Sequence, residues 1–286
     1  MENEPMIIGM TVKGDDPVAS LEKVKSLNIS TCQMYASPEE WQSKGRLELI
    51  KKAMQEKGVR ITALLCHFEG ESYENIAAIK RTVGLLNQAT RERRVRKILS
   101  FSEVARNLGV KVLQAHIGFI PEDRNDLDYK GLVKVVQRIA DYCKKNGQSF
   151  ALETGQEKAR TLVIFIEDVN RSNLGVNFDP ANMLLYDVGN PIEALGILGK
   201  CVIGVHCKDG KRPTRKGELG KEYPLGEGDV NIKRFIDKLK EIGYRGPLTI
   251  EREIAGERQI KDILKAKKLL EKLTIDVRNK TVRMYN

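Results

Sequence analysis

The chain has 286 residues and a formal net charge of +10, and 41% of its residues are hydrophobic. This length and apolar content allow a complete core, which argues against a disordered protein and suits one domain the size of an α/β barrel. Five scattered cysteines without a CxxC pair argue against a disulfide framework or a zinc knuckle, and they indicate reduced thiols.

The first residues, MENEPMIIGM, lack the basic region of a secretion signal, and no apolar run approaches the roughly 20 residues that cross a bilayer. The sequence therefore predicts a cytoplasmic protein without a membrane partner. The positive charge could attract nucleic acid or an anionic substrate. Basic and acidic residues are interleaved in DRNDLDYK and KRFIDKLKE, so we interpret most of the charge as solvated helix surface.

Short apolar segments alternate with longer amphipathic segments along the whole chain. Helix starts are predicted at Asp16, at Ser37 with a capping box, at Asn190 and at Asp229, and the last helix is predicted over 256–273. The eight predicted strands are 6–12, 29–36, 59–68, 110–118, 148–155, 174–182, 202–210 and 247–253.

Eight such units fit either a closed barrel or an open doubly wound sheet. The open sheet of a dinucleotide-binding protein needs a GxGxxG turn, which this sequence lacks. We therefore predict one (β/α)8 TIM barrel over residues 1–286, with a C-terminal tail at 273–286. Its functional residues should lie at the carboxyl ends of the strands.

Four residues that can bind a metal end the last four predicted strands: Glu153, Asp179, His206 and Glu251. A buried carboxylate costs several kcal/mol unless it is paired or bound to a metal. Three carboxylates around one barrel mouth therefore predict a cation. This hard oxygen and nitrogen set favours one divalent ion, Mn(II) first, with Mg(II), Co(II) or Zn(II) as alternatives.

Each ligand also has a simpler interpretation. Asp179 could start a turn, and Glu153 could pair with Lys208. The recurrence on four successive strands favours the metal site. His67 and His116, near the ends of the third and fourth strands, are predicted to line the substrate cavity.

Residues 209–229 are predicted to form a long loop on the functional face, without apolar periodicity. Its cations could clamp a phosphate or could simply be solvated. The run Gly226-Glu227-Gly228 predicts a tight turn into the seventh helix.

The segments ALETGQ, VNFDPANM, GVHCKDG, PLGEGDV and GPLTIERE are similar to those of the xylose isomerase-like barrels, and within them to the sugar phosphate isomerase/epimerase group. The resemblance implies that Glu153, Asp179, His206 and Glu251 hold the metal. It implies a ketose or ketose phosphate 3-epimerase acting through an enediolate, in which Glu153 and Glu251 exchange the proton. An inosose dehydratase-like lyase is the alternative.

The chain departs from the epimerase pattern at two places. Asn182 replaces a histidine that often follows the aspartate, and Lys211 and Arg212 only approximate an arginine after the metal histidine. Asn182, Lys208 and Arg212 are predicted to contact the substrate, a sugar or sugar phosphate. The sequence is compatible with a homo-oligomer and does not determine the oligomeric state.

The same superfamily contains endonuclease IV-type DNA repair enzymes, which use a histidine-rich cluster of three zinc ions. This chain has only three histidines, so abasic-site cleavage and a nucleic-acid partner are disfavoured. A metal-free binding barrel is disfavoured because all four ligand residues are present.

Overall fold

Eight parallel strands close into a barrel in a computed structural model, which describes the backbone of residues 6–283 and the side chains of residues 6–274. Around the barrel the strands follow the order β1-β10-β7-β6-β5-β4-β3-β2. The predicted (β/α)8 TIM barrel is confirmed. The barrel strands are β1 Ile8–Val12, β2 Thr31–Tyr35, β3 Arg60–Leu65, β4 Val112–Ala115, β5 Ser149–Glu153, β6 Leu174–Phe178, β7 Val202–Cys207 and β10 Leu248–Ile250.

Helices cover the outside of the barrel. Side chains alternate along each strand, so Asn177 points into the barrel while its neighbour Phe178 stacks on Phe235 of α10 at 6.1 Å between ring centroids. The helices are α1 Pro17–Ser26, α2 Pro38–Trp41, α3 Lys44–Lys57, α4 Ile76–Thr82, α5 Gln88–Leu108, α6 Leu127–Lys145, α7 Ala159–Val169, α8 Pro180–Leu185, α9 Pro191–Leu198, α10 Ile232–Glu241 and α11 Gly256–Arg283.

Helix starts mostly follow the sequence signals. Asp16 and Asn190 accept hydrogen bonds from backbone N–H groups of the first turns of α1 and α9. Ser37 precedes α2, but its side chain makes no capping bond, so the predicted capping box does not form. The predicted cap at Asp229 is wrong, because α10 begins three residues after it, at Ile232, and is capped by Asn231, while the backbone N–H of Asp229 donates to the carbonyl of Gly210.

The connection after β7 is more ordered than its sequence suggests. Residues near its ends pair as an antiparallel hairpin of β8, Asp209–Lys211, and β9, Lys221–Tyr223, so the predicted long loop contains two short strands that were not predicted. The buried carboxylate of Asp209 accepts hydrogen bonds from the backbone N–H groups of Gly210, Gly226 and Val230. Gly226 has φ of +89°, as the predicted turn requires.

The last helix is longer than predicted. It continues to Arg283 instead of ending at residue 273, and the rest of the predicted tail, 284–286, lies outside the described residues. Within the described part of the chain, no helix is long and apolar enough to cross a membrane.

Candidate metal centre

Four side chains meet at the carboxyl ends of neighbouring barrel strands. Glu153 is the last residue of β5, Asp179 follows β6, His206 lies near the end of β7, and Glu251 follows β10. One potential ligand atom from each lies within 4.8 Å of all the others. The closed barrel therefore brings together the four residues that the sequence pattern singled out.

The His206 imidazole lies in the middle of the three carboxylates and is fully buried. Its Nδ1 is 3.2 Å from Glu153 Oε1, 3.4 Å from Asp179 Oδ2 and 3.1 Å from Glu251 Oε2. Among the described side chains, His206 Nδ1 and Asp179 Oδ2 are buried atoms without a hydrogen-bond partner. Buried polar atoms normally have a partner, so two unpartnered lone pairs facing each other fit a cation between them.

The remaining carboxylate oxygens are held by protein groups. Asp179 Oδ1 caps α8 by accepting from the backbone N–H of Asn182 at 2.9 Å, which leaves Oδ2 for a metal. Glu153 Oε2 accepts from Gln114 Nε2 at 2.8 Å and lies 3.5 Å from His116 Nε2. These contacts fix the orientation of the carboxylates before any ligand binds.

Lys208 is a cation inside the same cluster, and it is 2% exposed. Its ammonium lies 3.1 Å from Glu251 Oε2, 3.7 Å from Asp179 Oδ2 and 2.9 Å from Glu253, and it donates to Asn182 Oδ1 at 3.2 Å. Burial would lower the pKa of His206, but Glu251 and Glu153 raise it well above its usual range, so without a metal the imidazole is protonated. A divalent ion would displace the Nδ1 proton and neutralise the two negative charges that the three ligand carboxylates and Lys208 then leave.

The cations and anions of the cluster shift one another's pKa values. Burial alone would raise the pKa of Glu251, but His206 and Lys208 together lower it well below its usual range. The pKa of Glu153 is lowered in spite of burial because His116 and His206 lie beside it. Both glutamates are therefore ionised near neutral pH, as bases and metal ligands must be.

A cavity of about 770 Å³ opens beside this cluster, and its lining includes Lys13, Tyr35, His67 and Glu251. His67 therefore lies where a substrate would approach Glu251, whereas His116 faces Glu153 and the ring of Tyr73.

Like Lys208, two other predicted substrate contacts have protein partners in this structure. Asn182 donates to Glu153 Oε1 at 3.3 Å and accepts from Lys208, so it bridges two charged groups of the cluster. Arg212 pairs with Asp187 and donates to the carbonyl of Gly189 at 2.6 Å. Binding a substrate through Arg212 would require it to leave or share these partners.

Two polar residues near the site and a third in the connection after β5 were not singled out from the sequence. Gln33 on β2 and Gln114 on β4 point into the barrel and contact His206 and Glu153. Glu157 in the connection after β5 is 8% exposed, and burial raises its pKa to about 8. The signal available in the sequence was a polar residue on the inward-facing side of an apolar strand, at Gln33 and Gln114.

Comparison with known proteins identifies the family. The xylose isomerase-like TIM barrel family matches residues 21–273. An uncharacterised protein of Methanocaldococcus jannaschii is 30% identical over 219 residues, which are 70% of each chain. The L-ribulose 3-epimerase of Methylomonas sp. is 27% identical over 147 residues, 49% of this chain and 48% of that protein.

Among solved structures, a xylose isomerase domain protein from Planctomyces limnophilus superposes with a TM-score of 0.92 at 40% identity. The match covers 96% of this chain and 100% of that one. Sugar epimerases are also among the relatives, at lower identity. By its family match and its barrel, this chain belongs to the xylose isomerase-like TIM barrel proteins.

Proposed function

We propose that this protein is a metal-dependent sugar epimerase that moves a proton at the carbon next to a ketose carbonyl, in a ketose or ketose phosphate 3-epimerase reaction. One observation carries the proposal. Two ionised glutamates, Glu153 and Glu251, approach the same imidazole nitrogen from strands three steps apart around the barrel, at 3.2 and 3.1 Å. The ketose 3-epimerases among the relatives support the same assignment.

The four residues Glu153, Asp179, His206 and Glu251 would hold one divalent ion, with Mn(II) favoured by the hard oxygen and nitrogen ligands. When bound, such an ion polarises a substrate carbonyl and stabilises the negative charge that develops on its oxygen. The unpartnered lone pairs of Asp179 and His206 fit this occupant.

The two glutamates have different surroundings that suit opposite roles. Glu251 lines the open cavity, so it can take a proton from a substrate carbon, and Lys208 helps to keep it ionised. Glu153 comes from the other side of β7 around the barrel, held by Gln114 and next to His116, and it would return a proton to the other face. A positioned carboxylate base typically contributes about 10²–10⁴-fold to the rate.

Solvent exchange tests this chemistry directly. Incubation of the manganese-loaded protein with candidate ketoses and ketose phosphates in D2O should place deuterium at the carbon next to the carbonyl, together with formation of the epimer. Glu251→Gln and Glu153→Gln keep the side-chain shape and one oxygen ligand but remove the base. Both should retain some metal and lose turnover by about 10²-fold or more.

The control is Glu241→Gln at the far end of α10, where the exposed Glu241 pairs with Lys238. It should turn over like the wild type. Turnover of a sugar without deuterium incorporation would indicate a hydride shift and would contradict the two-glutamate proposal. Loss of water instead of epimer formation would favour a dehydratase. We expect no cleavage of DNA at abasic sites, and efficient incision would reverse this ranking.

A further inference from the structure

The two ring nitrogens of His206 have different surroundings. Nδ1 faces the three carboxylates, and Nε2 lies 2.8 Å from Oε1 of Gln33. A neutral imidazole carries one proton, and the hydrogen bond made by one nitrogen decides which lone pair the other can offer. Because an amide oxygen only accepts hydrogen bonds, Nε2 must donate to it, so in the neutral, metal-bound form of the ring the Nδ1 lone pair is the one available to the ion.

The orientation of the Gln33 amide is set by a second amide. Gln33 Nε2 donates to Asn177 Oδ1 at 3.1 Å, so Gln33 presents its oxygen and not its nitrogen to His206. Gln33 is 4% exposed, Asn177 1% and His206 0%, and they come from β2, β6 and β7. The three side chains form one connected line across the barrel interior.

The backbone leaves room for this amide pair at Gly204, two residues before His206 on the same strand. A Cβ atom at Gly204 would lie 2.4 Å from Asn177 Oδ1 and 3.6 Å from Gln33 Nε2. The first distance is too short for any side chain at this position unless Asn177 moves. The glycine is therefore needed for the amides to sit where they do.

Gln114 does not perform the same task. Its Nε2 lies 3.4 Å from His206 Nε2, but it donates to Glu153 Oε2 at 2.8 Å. An amide nitrogen cannot accept the proton that Nε2 carries. Gln33 is therefore the amide that fixes the ring.

We infer that Gln33 is a positioning residue, which holds His206 with its proton on Nε2 and presents Nδ1 to the divalent ion, and that Asn177 orients Gln33. The inference rests on the proposed metal centre. Partners of this kind change metal affinity by about 10–100-fold when they are removed. Gln33 does not contact the ion itself.

Gln33→Leu removes the acceptor and nearly preserves the size of the side chain, whereas Gln33→Glu retains an acceptor for Nε2–H. Gln148→Leu is the matched control, because Gln148 is also a buried glutamine but bonds to Ser102 outside the barrel mouth. Zinc affinity is measured by competition with a chelator, and the ring nitrogens of the three histidines are followed by 15N NMR in the zinc-loaded proteins.

We expect Gln33→Leu to bind zinc about 10–100-fold more weakly, and Gln33→Glu and Gln148→Leu to bind within a few-fold of the wild type. The His206 spectrum of the wild type should show a metal-bound Nδ1 and a protonated Nε2, and this pattern should change in Gln33→Leu. Gly204→Ala, which leaves Gln33 and His206 chemically intact, should also weaken binding.

A folded Gln33→Leu variant with wild-type affinity and an unchanged His206 spectrum would overturn the inference and leave the metal centre standing. Weakened binding in Gln33→Leu that Gln33→Glu does not restore would also overturn it, since the acceptor would then not be the cause. A wild-type chain that binds no divalent ion would overturn the metal centre and the inference together.

Discussion

The barrel mouth has two unlike halves. At the ends of β5, β6, β7 and β10 the polar side chains are buried and held by one another, as Asp179 is by the start of α8 and Glu153 by Gln114. At the ends of β1, β2 and β3 a wide cavity, which also borders Glu251 of the first half, is lined by exposed groups such as Lys13 and His67. We propose that the first half carries out the chemistry and the open half contacts the rest of the substrate, since pre-organised groups are the ones that stabilise a developing charge.

Removing two ligands from the first half should have the largest effect. We expect about one divalent ion per chain in the wild type and none in a double variant with Asp179→Ala and His206→Ala, because the remaining glutamates cannot complete the site. Metal content after dialysis against Mn(II) measures this. His67→Ala, in the open half, is the control and should keep its metal. Full occupancy in the double variant would show that the ion binds elsewhere.

Glu157, in the connection that follows β5, can be tested through stability. Burial raises its pKa to about 8 from an unfolded value near 4.5, so the folded protein keeps a proton that the unfolded chain releases. Above the unfolded pKa this difference destabilises the fold, and the cost grows with pH until the folded group ionises near pH 8. Glu157→Gln removes the titration, so its stability should exceed that of the wild type at pH 8.5 by about a few kcal/mol.

Thermal unfolding of wild type and Glu157→Gln at pH 4 and pH 8.5 measures this difference. The two proteins should be closest at pH 4, where the glutamate is protonated in both states. Glu167→Gln, on the exposed side of α7, should follow the wild type at both pH values. If Glu157→Gln raised the unfolding temperature equally at the two pH values, the titration of Glu157 would not be the cause of the added stability.

Lys208 could either compete with the metal ion for the carboxylates or hold those carboxylates in place, and its removal distinguishes the two roles. Lys208→Met removes a buried positive charge 3.1 Å from Glu251, so the ligands should attract a divalent ion more strongly, by about tenfold or more. Chelator competition measures the affinity. Lys211→Met is the control, since Lys211 lies over the ring of Tyr223 instead. Weaker binding in Lys208→Met would mean that Lys208 holds the ligands in place.

The barrel and the convergence of the four ligand residues could be predicted because both depend on chain order. A carboxylate at the end of an apolar strand stands out in the sequence as a charged residue among apolar ones. Parallel strands of a closed barrel bring their carboxyl ends to the same rim, so such residues are expected to meet there. The partners of those residues could not be predicted. Gln33 and Asn177 are 144 positions apart, and their contact depends on which side chains meet across the barrel interior.

The two short strands in the connection after β7 could not be predicted for a related reason. Asp209 pairs with backbone N–H groups up to 21 residues away, and such bonds leave no periodicity in the sequence. The last helix runs past its predicted end at residue 273, and the sequence has no glycine or proline that would stop it before Arg283. The roles of the candidate residues stay predictions until the variants are measured.

The open half should give the smallest effect and the sharpest information on substrate. Lys13 and Lys23 both line the cavity, and Lys23 donates to Gln259 at 2.8 Å. Exposed charge pairs are worth about 0–1 kcal/mol, so Lys13→Gln and Lys23→Gln should raise KM by about fivefold or less and leave metal content and kcat unchanged. If the substrate is phosphorylated, the increase should be larger for a ketose phosphate than for the free ketose and should shrink as salt is added. Equal increases in KM for the two substrates would mean that the phosphate binds elsewhere. A fall in kcat or in bound metal would contradict the assignment of chemistry to one half of the barrel mouth and substrate binding to the other.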